Sequence, residues 1–152
     1  MGDLTFPFAR NDFLSQSAHI SLARQRFAET FVAMADVPVI DLQAIENLRS
    51  LNPGDNDEFL REIVGIFLED TPQRIAELEQ SLAANDTSKF TRAAHSIKGS
   101  SANLGASALR AVAETVEHLS RKEPLSTIAP LVESIKTEFA KAQTELSKLL
   151  RP

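Results

Sequence analysis

The chain has 152 residues, a net charge of −5, nine Phe, and no Trp, Tyr or Cys. This is enough for one domain with its own core, while the missing thiols exclude a disulfide scaffold, thiolate zinc sites and cysteine nucleophiles. The acidic balance argues against nonspecific nucleic-acid binding. No run of about 18 apolar residues predicts a transmembrane helix, so a cytoplasmic protein with no membrane partner is expected.

Residues 1–39 read as an N-terminal extension, helical or flexible, ahead of a domain over 40–152. Phe6, Phe8, Phe13, Phe27 and Phe31 share no clean helical register, and Pro7 breaks the start. From Phe13 to Ala28 there is no acid, and His19, Arg24 and Arg26 add weak basic character. A short helix packed on the domain, or a flexible tail, is favoured over a targeting or membrane-surface segment. Met34-Ala35-Asp36-Val37-Pro38 leads directly into the domain and offers a second translation start.

Asp41 is an expected N-cap for a short helix from Leu42 to Ser50, ended by Asn52-Pro53-Gly54. A second helix is expected from about Asp57 to Ala84, burying Phe59, Ile63, Ile66, Phe67, Leu78 and Leu82. Pro72 lies inside it, which predicts a kink near Glu69 to Thr71. Asn85-Asp86-Thr87-Ser88 forms the next break and cap. A third helix follows from Thr87 to Asn103, with Gly105 at the turn. The fourth, about Ala106 to Lys122, carries Leu109, Val112, Val116 and Leu119 on one stripe. Glu123-Pro124 breaks it, and a last helix spans Ser126 to Leu150 with Pro130 in its first turn. These elements predict an all-α fold: an antiparallel four-helix bundle with a short leading helix.

The third helix carries the unusual chemistry. At 100° per residue, Thr91, Arg92, Lys98, Gly99 and Ala102 all lie within about 60° of His95. Phe90, Ala94, Ile97, Ser101 and Leu104 point the other way. Gly99 costs about 1 kcal/mol in a helix interior relative to Ala, and at i+4 from His95 it clears space over the imidazole. Lys98, at i+3, brings a charge that stabilises a phosphoryl group. Residues 88–122 hold six cations (Lys89, Arg92, Lys98, Arg110, Arg121, Lys122) against Glu114 and Glu117. A local +4 in a chain of −5 suits an anionic group or an acidic partner.

A free imidazole is mostly neutral and nucleophilic near pH 7, so attack on a phosphoryl donor would give a phosphoramidate. A metal site is not expected, since no second histidine or acid has ligand spacing. Nor does the sequence place an acid to orient His95, so no catalytic triad is expected. No glycine-rich phosphate loop is present. His19 and His118 read as incidental, His118 on the surface.

At these residues the sequence resembles the histidine-containing phosphotransfer (HPt) family. The pattern is His95-x-x-Lys98-Gly99, five residues, then Gly105, preceded by Arg92-Ala93-Ala94. Phe67-Leu68-Glu69-Asp70-Thr71-Pro72 is similar to the family's second helix, and the likeness covers about residues 40–150. It implies a four-helix bundle that reversibly carries a phosphoryl group on His95, exchanging it with receiver-domain aspartates in two-component signalling. Lys98 would stabilise the phosphate and Gly99 give access. Ser100, Ala102 and Gly105 would border the docking surface, to which helical geometry adds Arg92. The Mg²⁺ is expected in the receiver, leaving this chain without a cofactor. A similar motif opens chemotaxis histidine kinases, but no ATP-binding domain fits after residue 150. A phosphotransfer protein, not an enzyme, is therefore expected, free-standing and monomeric in preference to a piece cut from a hybrid kinase, its partners being receivers or a hybrid kinase. The competing expectation is a helical adaptor that binds a receiver without accepting phosphate.

Overall fold

A computed structural model describes Leu22 and residues 24–150; Phe6, Pro7, Phe8, Phe13 and His19 fall outside these residues. All regular structure among the described residues is helical. The helices are α1 (Leu42–Leu51), α2 (Glu58–Ala83), α3 (Thr87–Leu104), α4 (Ser107–Ser120), α5 (Leu125–Ile128) and α6 (Pro130–Leu149). Residues 24–34 are also helical, and Phe27 and Met34 rest half-buried against the core. Among the described residues no helix is long and apolar enough to cross a membrane.

The helix boundaries follow from capping chemistry. Asp41 accepts from the backbone N–H of Gln43 at 2.9 Å and starts α1. Asp86 accepts from the backbone N–H of Lys89 at 3.0 Å and starts α3. Each satisfies a donor that the first turn leaves without a helical partner. Asp55 does the same for α2, accepting from the N–H of Phe59 at 3.0 Å.

Helices α2, α3, α4 and α6 close a ring: α2 packs on α3 and α6, and α4 packs on α3 and α6. Short connections join successive helices of this ring, in which each of the four packs on two others as a helical bundle. Between them lie Leu60, Val64, Phe67, Leu78, Phe90, Ile97, Leu109, Val112, Val116, Ile135 and Leu146, all buried. Helix α1 packs on α2 and α3.

Two expectations are corrected. In the first half of α2, apolar residues come in doublets, Phe59-Leu60, Ile63-Val64 and Ile66-Phe67, and the second member of each faces inward. Leu60, Val64, Phe67 and Thr71 are spaced four, three and four, which is one helical stripe. Ile66 stands about 100° away and is 60% exposed, while Phe59 and Ile63 are half-buried. The last helix is also divided. Leu125–Ile128 forms one turn, and Pro130 begins α6 as a first-turn residue, where its missing N–H breaks no helical bond. Helix α2, in contrast, runs unbroken through Pro72.

Candidate functional site

Helix α3 is amphipathic in the sense expected. Phe90, Ala93, Ala94, Ile97, Ser101 and Leu104 are buried, whereas Arg92, His95, Gly99 and Ala102 are exposed and Thr91, Lys98 and Ser100 half-buried. The side chain of His95 is 64% exposed. A Cβ built on Gly99 would meet nothing within 4 Å, so the glycine is not required by packing and leaves open space one turn from the imidazole. His118 lies on the surface, its Nε2 3.0 Å from Lys122 Nζ.

The neighbouring helix contributes a residue that the sequence reading did not place. Glu117 on α4 is 5% exposed at its side chain, and its Oε1 lies 3.0 Å from His95 Nδ1. The same oxygen accepts from Arg121 Nη2 at 2.8 Å, and Oε2 pairs with Lys98 Nζ at 2.5 Å. An acid does therefore orient His95, correcting the expectation that none would. Burial pushes the Glu117 carboxyl up. The hydrogen bonds from Lys98, His95 and Arg121 outweigh that and hold it down at about 2.

One turn further along, Thr91 Oγ1 and Ser120 Oγ are 2.7 Å apart. Thr91 pairs with Ser120 and His95 with Glu117, so the residue numbers rise on one helix as they fall on the other. These two bonds tie the register of α3 to α4 at the site. The signal for Glu117 was present in the sequence. It occupies the inward face of α4 together with Leu109, Val112, Ala113, Val116 and Ser120, and a buried acid demands partners.

An ionised carboxylate can only accept, so the facing nitrogen of His95 must carry the ring proton. That assigns Nδ1–H to the Glu117 bond and leaves the lone pair on Nε2. Around the ring stand Lys98 on one oxygen of Glu117 and Arg121 on the other. An open cleft beside the ring is lined by Thr87, Ser88, Thr91, Arg92, His95 and Arg121. The arrangement offers a nitrogen nucleophile with cations on two sides.

The site residues named from the sequence do not all converge. His95, Lys98, Gly99 and Arg92 surround one open surface, and Ala102 continues it. Ser100 is half-buried and donates to the carbonyl of Ile97 at 3.2 Å. Gly105 is buried, and it caps α3 at φ +79°. A Cβ there would lie 2.5 Å from Ala44 Cβ, and its carbonyl accepts from Asp41 N–H at 2.8 Å. Its place is the turn and the close approach of α1. Among the described residues no three His, Cys, Asp or Glu side chains cluster as metal ligands.

Comparison with known proteins gives this geometry its relatives. A family model described as the Hpt domain matches residues 62–146. The chain is 34% identical over 83 residues to multistep phosphorelay regulator 1 of Schizosaccharomyces pombe, covering 55% of this chain and 28% of that protein. It thus spans little more than a quarter of that relative's length. Among solved structures, histidine-containing phosphotransfer protein B (HptB) of Pseudomonas aeruginosa PAO1 superposes with a TM-score of 0.67 at 26% identity, over 74% of this chain and 95% of that one. Histidine-containing phosphotransfer protein ZmHP2 from maize shares the fold at 23% identity and a TM-score of 0.66, over 81% and 95% of the two chains.

Proposed function

The chain belongs to the Hpt domain family; we propose that it is a phosphorelay intermediate carrying the phosphoryl group on Nε2 of His95, exchanging it with an aspartate of a receiver domain. The observation that carries this assignment is the Glu117 bond to Nδ1. It sets the tautomer and turns the unshared lone pair of Nε2 to the exposed side of the ring.

In the forward step the Nε2 lone pair attacks phosphorus, an N–P bond forms, and the P–O bond to the receiver's aspartyl carboxylate breaks. The carboxylate leaves with the bonding pair, and the proton stays on Nδ1. The ring thereby acquires positive charge, which the facing Glu117 carboxylate stabilises. Because that charge keeps the N–P bond a good leaving bond, the return step to a second aspartate is the same path reversed. Lys98 Nζ supplies positive charge toward the transferred oxygens. Mg²⁺ belongs to the receiver in this scheme, where it would neutralise charge on the phosphoryl oxygens. In this scheme the chain passes the group between partners.

Incubation with a ³²P-phosphorylated receiver domain tests the assignment. The expected result is an acid-labile, base-stable label on the wild-type protein and none on His95→Gln, with helical circular dichroism unchanged. Binding without any label would favour the adaptor reading instead.

A further inference from the structure

The Glu117 carboxylate holds more cations than it needs. Glu117 contributes one negative charge, Lys98 and Arg121 one positive charge each, and the ring of His95 is neutral in the tautomer argued above. The resting cluster therefore carries one surplus positive charge. Adding a PO₃⁻ group to Nε2 contributes one negative charge and brings the cluster to neutrality. Lys98 is fixed to Oε2 and mostly buried, but the Arg121 side chain is 59% exposed and sits on Oε1, the oxygen that also faces Nδ1. Arg121 and His95 also wall the same open cleft. A guanidinium presents five donors in a planar fork that matches phosphoryl oxygens in pairs, so it can keep one N–H on Glu117 and turn others outward.

We propose that Arg121 is a phosphoryl-binding residue of this site, held beside His95 by Glu117 in the resting protein and engaging the phosphoryl oxygens once Nε2 is modified. The proposal rests on His95 being the carrier. It adds to the site a residue from α4 that stabilises the loaded state alongside Lys98. Arg121 thus sets how long the group stays on His95 and how the transfer equilibrium divides between this protein and a receiver.

Potassium phosphoramidate serves as the probe, since it needs no identified partner. The Nε2 lone pair attacks phosphorus, the P–N bond of the phosphoramidate monoanion breaks, and ammonia leaves with the bonding pair and the proton the donor already carries. Wild type, Arg121→Ala, Arg121→Gln and His95→Gln are loaded and followed by ³¹P NMR. Removal of the guanidinium should raise the pH at which the phosphohistidine resonance titrates, because a nearby cation favours the dianion. The label's half-life should fall roughly two- to fivefold, the range of one partly exposed charge pair. An unchanged ³¹P titration in both Arg121 variants overturns the proposal whatever the half-life does, since a merely structural arginine would not move it. A wild-type protein that takes no label at His95 instead removes the carrier reading, and the Arg121 proposal with it.

Discussion

His95 Nδ1 and Glu117 Oε1 lie 3.0 Å apart across the α3–α4 interface, joining an exposed imidazole to a buried carboxylate 22 positions along the chain. The exposed partner can react while the buried one cannot move. The bond therefore acts as a mount, fixing which ring nitrogen faces outward.

Replacing Glu117 by Gln tests that mount. A glutamine amide presents either an oxygen or an NH₂ group, so the tautomer is no longer set by charge and the ring's developing positive charge loses its counterpart. Transfer through His95 should slow by roughly tenfold or more, as for other partners that orient a reacting histidine. Ring ¹⁵N shifts should show Nδ1–H in the wild type and a mixture in Glu117→Gln. Unchanged tautomer and unchanged rate would mean the bond is only structural.

The same carboxylate predicts a specific acid sensitivity. Its folded value of about 2 lies below the ordinary 4.5, so its contribution is complete above pH 4.5 and is lost as pH falls towards 2. At neutral pH this linkage is on the order of 3 kcal/mol. Denaturant unfolding of wild type and Glu117→Gln should therefore differ most above pH 4.5, the gap narrowing steadily below it. A gap independent of pH between 5 and 2.5 would show that the carboxylate is not held ionised.

Thr71 offers a test of the core. It is completely buried in α2 and, among the described residues, its Oγ1 has no hydrogen-bond partner. Thr71→Val keeps the β-branched shape and removes the stranded hydroxyl, so stability should rise by about 1 kcal/mol. A loss of stability on urea denaturation would reveal that the hydroxyl is satisfied.

The number and order of the bundle helices, and most of their ends, were readable from the chain because they depend on local chemistry: Asp41 and Asp86 as caps, Gly105 as a stop, and spacings of three and four. The outward face of α3 was readable for the same reason. What was not readable depended on contact between helices. The α2 doublets are each two-sided by sequence, and only packing against α3 and α6 selects Val64 and Phe67 over Ile63 and Ile66. Glu117 escaped notice because its meaning lies in a residue on another helix. Gly105 was legible as a stop, but nothing local reports that α1 presses on it.

The two glycines of the motif region should behave oppositely, and the contrast separates fold from function. At Gly99 a side chain meets open space and the backbone is ordinary helix, so Gly99→Ala should stabilise the bundle by about 0.5–1 kcal/mol. Gly99→Leu should leave the fold intact while lowering transfer from a receiver, because its side chain fills the approach to His95. At Gly105 the left-handed backbone and the 2.5 Å approach to Ala44 Cβ both oppose a side chain. Gly105→Ala should cost at least about 2 kcal/mol, read as a lower denaturation midpoint, while leaving transfer by the folded fraction unimpaired. If Gly99→Leu transferred normally, the cleared space would have no role in docking. Full stability of Gly105→Ala would mean that α1 does not press on this turn.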